Sequence, residues 1–318
     1  MTNEPNPRMD FGPQYARDNA FAARMRFHQS WYRSKILKAP YGTGPKQSNA
    51  TWFGNMLTRE DGERGLNFLS PHIFEVTKRR LELKKGTIDP FRLYCNMLSS
   101  QPMCFNLFGP LVDNPQSATR LAQAILPGEI QAINKVMLEF APDPASSYLN
   151  DRTAFDAFIT FVDQNGQPGF LGIETRLVEA FSAKEYRSPR YNELTQSPNS
   201  PWPEESWPHL SAEDINQLWR DHLLALAMQT APGAKFGAGH FLLVYHPQDE
   251  ECVQALEKYC RCLKPDDRSF LAIPLDELVE RWRQVAVPAE KQWLDDFSLR
   301  YLDLQASEAD FLAKKRHR

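Results

Sequence analysis

Asp156, Glu174 and Arg176 lie in one short stretch that reads Phe155-Asp-Ala-Phe-Ile-Thr-Phe-Val-Asp-Gln-Asn-Gly-Gln-Pro-Gly-Phe-Leu-Gly-Ile-Glu-Thr-Arg-Leu177. Two acids brought close together repel, and burying them costs more unless a counter-charge is present. A divalent cation relieves that repulsion. One or two carboxylates completed by water and phosphate is the usual surrounding of Mg²⁺, and Mn²⁺ accepts the same oxygen donors. The chemistry available here is therefore that of a hard cation held by Asp156 and Glu174, with a fixed positive charge two residues beyond the second acid.

A hairpin must position these groups. Asn165-Gly166 between two apolar runs is a strong turn signal. Alternation along the second strand puts Leu171, Ile173, Thr175 and Leu177 on one face. Phe170, Gly172, Glu174 and Arg176 take the other, with Gly172 expected to leave room above the sheet. A two-residue turn pairs residues whose numbers add to 331 and sends Asp156 and Glu174 to opposite faces. A three-residue loop, Gln164-Asn165-Gly166 with a left-handed Gly166, pairs numbers adding to 330. It sets Asp156 across from Glu174, with Cβ atoms roughly 5 Å apart.

Around the hairpin, apolar spacing predicts helices over 16–37 and 71–85, then 91–98 behind an Asp89 cap and Pro90, and another near 117–126. Strands are expected at 133–140, 154–162 and 170–178, followed by an irregular Pro-, Ser- and Trp-rich insertion over 187–209. Helix 214–229, strand 241–245, helix 250–263, strand 270–273 and helix 275–284 complete the order. No internal repeat is visible. Helices, then a β-meander, then alternating strands and helices describe an α/β chain with a mixed sheet flanked by helices.

An Asp, then a Glu-x-Lys about 18 residues later on an adjacent strand, is the signature of the PD-(D/E)XK nuclease superfamily. The hairpin resembles it. The surroundings are similar to a bacterial branch of restriction endonucleases in four ordered phrases. These are Asn96-Met-Leu-Ser-Ser-Gln-Pro-Met-Cys-Phe-Asn-Leu-Phe-Gly109, Ala154-Phe-Asp-Ala-Phe158, Phe170-Leu-Gly-Ile-Glu174 and Gln217-Leu-Trp-Arg-Asp-His-Leu-Leu224. The likeness covers about residues 65–285. It implies a restriction-endonuclease-like sheet with a helical N-terminal extension, and hydrolysis of phosphodiester bonds in DNA with Mg²⁺ or Mn²⁺.

By that resemblance Asp156 and Glu174 are metal-binding acids, and the Thr175 carbonyl is a third ligand. Arg176 stands where the superfamily has its catalytic Lys. A guanidinium stays protonated and cannot act as a base, although it can stabilise transition-state charge. Lys184 is the candidate for a displaced lysine. Gln217 and Arg220, three apart on a predicted helix, could meet a phosphate or serve as structural partners. Gln101 could contact bases or satisfy loop backbone. Glu139, on the preceding strand, is an extra candidate acid. The alternatives are a degenerate nuclease fold that binds nucleic acid or a partner without cutting, and plain pairing of the two acids with Arg176, Arg152 or Lys184.

The expected organisation is a basic, partly helical extension over 1–60, a nuclease-like domain over 61–290, and a C-terminal helix with a basic tail over 291–318. The 318 residues carry 37 Lys and Arg against 40 Asp and Glu, a net −3, which argues against an indiscriminate polyanion binder. Residues 1–47 nevertheless hold a net +5. Hydrophobic residues at 42% supply a core and exclude wholesale disorder. No apolar run approaches the roughly 18 residues of a membrane span, and the polar start does not read as a secretory signal. Five scattered cysteines with no CxxC pair point to a reducing cytoplasm rather than a disulfide or zinc framework. DNA is the expected partner, and a homodimer is a candidate assembly.

Overall fold

The computed structural model describes residues 9–45, 51–84, 88–181 and 188–316. Packing divides the chain into two units: Met1–Arg79 with Ile88–Gly109 and Val287–Arg318, and Arg80–Thr87 with Pro110–Ala286.

In the first unit, helix α1 (Ala20–Trp31) starts where the Asn19 side chain accepts the Ala22 N–H at 2.8 Å, and it runs on into a π-turn over Tyr32–Ile36. Two short antiparallel strands follow, β1 (Tyr41–Thr43) and β2 (Trp52–Leu57). The sequence reads as a simple chain break at 41–45. Strand β1 is only three residues long and is built round Gly42, where a Cβ would overlap the Leu57 carbonyl, so it leaves no periodic signal. Helices α2 (Arg59–Glu63), α3 (Pro71–Glu82), α4 (Pro90–Cys95) and α5 (Ser100–Phe108) come next. Asp89 caps α4 by accepting the Phe91 and Arg92 N–H groups. Helices Pro288–Tyr301 and Glu308–Arg316 return to this unit. Phe27, Trp31, Tyr32, Leu57 and Met97 form a buried apolar cluster.

Three arginines of the N-terminal segment are engaged inside this unit, while Arg17, Lys35 and Lys38 are exposed. Arg33 is fully buried and donates to the Gly54 carbonyl at 2.7 Å. Arg24 pairs with Glu308 at 3.0 Å, and Arg26 pairs with Asp18.

The second unit holds the large sheet. After α6 (Pro115–Gln123), strands β3 (Ile130–Phe140), β4 (Phe155–Asp163) and β5 (Pro168–Arg176) form an antiparallel meander. Helices α7 (Pro189–Thr195) and α8 (Asn216–Thr230) then lead to β6 (Ala238–Tyr245), which lies parallel to β5. Helix α9 (Glu250–Cys260) crosses to β7 (Phe270–Pro274), again parallel, and α10 (Leu275–Val285) closes the unit. The strand order is β3-β4-β5-β6-β7. It is a mixed α/β sheet, antiparallel where hairpins join strands and parallel where helices do.

Near-continuous apolar runs in β4, β5 and β6 fit strands covered on both faces. Over its described residues 188–209 the insertion is more ordered than its composition suggests, because Tyr191 and Trp202 are core residues and Trp207 packs against them. Trp202 is 1% exposed, and its Nε1–H donates to the Tyr259 hydroxyl at 3.2 Å.

Candidate active site

Strands β4 and β5 pair residues whose numbers add to 330, from Ala157–Ile173 to Val162–Pro168. The loop is the three-residue one: the Asp163 N–H meets the Gln167 carbonyl at 2.8 Å, and Gly166 has φ +77°. One feature departs from simple alternation. The Phe155 ring lies directly over Gly172, where an added Cβ would come within 2.6 Å of it, and it also stacks on Phe158. The space expected above Gly172 is therefore filled. Regular pairing stops one pair short of Asp156 and Glu174. The Asp156 Oδ2 instead accepts the Thr175 backbone N–H at 2.8 Å and its hydroxyl at 2.6 Å.

Glu174, Thr175 and Arg176 end β5, and all three are buried. Glu174 Oε1 accepts a 2.8 Å hydrogen bond from Gln217 Nε2, near the start of α8. The Gln217 carbonyl oxygen is 3.5 Å from Arg176 Nη1, which itself lies 3.7 Å from Glu174. One amide thus bridges the acid and the cation. Arg176 also donates to the Glu179 carbonyl and stacks on the Phe181 ring at 4.3 Å. Its buried Nε has no hydrogen-bond partner among the described residues. The Arg176 carbonyl accepts the His246 N–H at 3.2 Å, on the β6 side. Carbonyls alternate along a strand, so the Thr175 carbonyl faces the β4 side, where Asp156 sits.

Electrostatics tie further groups to this corner. Burial lifts the Glu174 carboxyl well above the ordinary range, and the negative charges of Asp156 and Asp221 lift it further against the pull of Arg176. Burial also raises Asp156, although the two Thr175 hydrogen bonds oppose the rise. Asp221, on α8, is pushed up to about 8, chiefly by burial. Its Oδ2 has no hydrogen-bond partner among the described residues.

The other candidates are placed differently. Arg220 turns to a separate network: its Nε donates to Tyr191 at 3.1 Å, its Nη2 donates to Thr153 at 2.7 Å, and Asp151 is 3.6 Å away. Glu139 is buried in a left-handed conformation, and its charge is felt at Glu174. Gln101 lies buried on α5 in the first unit. Lys184 lies outside the described residues. Asp221 is the residue that sequence reasoning passed over. Its signal was there, four residues after Gln217, but the Gln217–Arg220 spacing describes a helical neighbour equally well.

An all-oxygen donor set with one orphaned buried carboxylate oxygen fits a hard divalent cation. Among the described residues, however, no three His, Cys, Asp or Glu side chains converge closely enough to hold an ion as they stand.

A five-stranded mixed sheet flanked by helices, with an acid on one hairpin strand and an acid-x-cation triplet ending the next, defines a restriction-endonuclease-like protein. Residues 16–303 match the family model of the PD-(D/E)XK nuclease superfamily, nearly the whole chain, and the chain belongs to that superfamily. No curated protein and no solved structure matches it. Among the described residues no helix is long and apolar enough to cross a membrane.

Proposed function

We propose that the chain is a divalent-cation-dependent deoxyribonuclease that hydrolyses phosphodiester bonds, with Asp156, Glu174 and the Thr175 carbonyl as the cation's ligands. The observation that carries this reading is the placement of two carboxylates on the neighbouring strands β4 and β5, Asp156 half-buried and Glu174 buried, both raised above the ordinary carboxyl range by burial. Such a pair is costly alone and suited to a cation. A bound Mg²⁺ or Mn²⁺ would supply Lewis-acid polarisation of the phosphate and lower the pKa of the attacking water.

The chain's own groups do the rest. Thr175 donates two hydrogen bonds to one Asp156 oxygen and so orients the carboxylate. Gln217 holds Glu174 and Arg176 in one arrangement. Arg176 cannot accept the proton lost by water, so its role is charge: its Nε, which meets no acceptor among the described residues, is a donor for a phosphate oxygen as negative charge builds there.

A second reading keeps the fold and drops the cutting. Arg176 stands in the lysine position and is held by Glu179, Gln217 and Phe181, which also suits a module that binds nucleic acid without hydrolysing it.

Plasmid and single-stranded DNA incubated with Mg²⁺ or Mn²⁺ separate the two. The nuclease reading expects metal-dependent cleavage by wild type, loss in Asp156→Asn, and retention or increase in Arg176→Lys. Arg176→Ala should lose on the order of 10²-fold. An inert wild type beside an active Arg176→Lys establishes the binding module. If all four are inert with either metal while DNA binding persists in Asp156→Asn, the nuclease reading is lost.

A further inference from the structure

We propose that Asp221 is a third acid of this centre, and that the cation held by Asp156 and Glu174 is also held by the Asp221 Oδ2 oxygen. The proposal rests on the nuclease reading above and adds a ligand supplied by a helix rather than by the hairpin.

Placement is the first argument. Gln217 and Asp221 are four apart on α8, so they lie one turn from each other on the same side of the helix. Gln217 is in direct contact with Glu174 at 2.8 Å, which directs that side of α8 toward the acid pair. Arg220, next to Asp221 in sequence, supplies the largest charge acting on it, but its hydrogen bonds go to Tyr191 and Thr153, with Asp151 3.6 Å away.

Unmet bonding is the second. Asp221 is 4% exposed, yet its Oδ2 is buried and meets no donor among the described residues. Buried carboxylate oxygens are ordinarily hydrogen-bonded, paired or bound to a metal, so an orphan needs a cause. Beside Glu174 lies an orphan of the opposite kind, the Arg176 Nε–H. An unmet acceptor and an unmet donor in one site are the two needs that a cation and the phosphate it neutralises would satisfy together.

Charge is the third. Glu174 feels the negative charge of both Asp156 and Asp221, so three acids from β4, β5 and α8 act on one another. A divalent charge would be attracted by all three. The Asp221 side chain has two rotatable bonds with which to follow.

Mn²⁺ binding to the full chain, measured by titration calorimetry, tests this alongside melting in a chelator-containing buffer. Asp221→Asn keeps the shape and removes the charge. We expect its Mn²⁺ affinity to fall at least tenfold, while its melting temperature in chelator stays level or rises. Affinity within twofold of wild type in Asp221→Asn, with binding abolished in Asp156→Asn, overturns the proposal and leaves the nuclease reading standing. Lost affinity together with a lower melting temperature in chelator marks Asp221 as a structural acid and also overturns it. A wild type that binds no Mn²⁺, or binding that survives in Asp156→Asn, removes both.

Discussion

A hydroxyl, an amide and a guanidinium decide what the two acids of this centre can do. Thr175 is the most specific of them, because its N–H and Oγ–H grip one oxygen of Asp156. Thr175→Val removes the hydroxyl at nearly constant volume. A hydrogen bond to a charged group contributes about 1.5–3 kcal/mol, and a loss of that size is expected in urea denaturation, with weaker Mn²⁺ binding. Asp221 sets a pH dependence of the opposite kind. An acid raised in the fold stabilises it fully below the ordinary carboxyl value, and that contribution is lost as pH rises through about 8. In chelator, wild type should therefore lose melting temperature between about pH 5 and 8 more steeply than Asp221→Asn. Cation affinity should rise over the same range, because protons and the cation compete for the same oxygens.

At the scale of elements, the hairpin is the part most legible from the chain. Asn165-Gly166 announces the turn and leaves two registers open, of which the structure has the one that sets Asp156 across from Glu174. The strand's own start was not legible. Phe155 gives up regular alternation to cover Gly172 and pack with Phe158 and Phe241, which leaves Asp156 to reach Thr175. Gly172→Ala would drive a methyl into that ring. Overpacking of this kind costs about 1–3 kcal/mol, and trimming the ring in a Gly172→Ala/Phe155→Leu double variant should recover part of it. Equal stabilities for the single and double variants would show that the ring does not set the fit.

Across the molecule, buried histidines oppose the acids. Burial lowers both His28, in the first unit, and His222, in the second, to about 4. His28 is bonded to Ser307 and the Leu299 carbonyl, and His222 to Tyr259 and Ser269, so each ring is held neutral in a closed network. A depressed histidine contributes its full stability above its ordinary value and loses it as pH falls toward about 4. Each should withdraw on the order of 3 kcal/mol at most over that interval. Urea denaturation at about pH 7, 5 and 4 should show this fall, and it should be shallower in His28→Gln. A cation that binds only the folded chain should work the other way, adding about 2.7 kcal/mol at a hundredfold excess over its Kd.

The local code of the chain determined the turn, narrowed the strand register to two choices and placed seven of the helices, because alternation, caps and turn residues act between near neighbours; the likeness to a nuclease superfamily lay in its motif phrases. It also placed Arg176 in the lysine position, since the acid-x-cation spacing is a property of three consecutive residues. Which side chains meet there was decided by packing. Helix α8 carries Gln217, Arg220 and Asp221 within two turns, and the 217–220 and 217–221 spacings both suit a shared surface. Only the rotation of α8 about its axis sends Gln217 to Glu174 and Arg220 to Tyr191. That rotation is set by where Leu218, Leu223 and Leu224 find the core, a balance of burial among residues far apart in sequence.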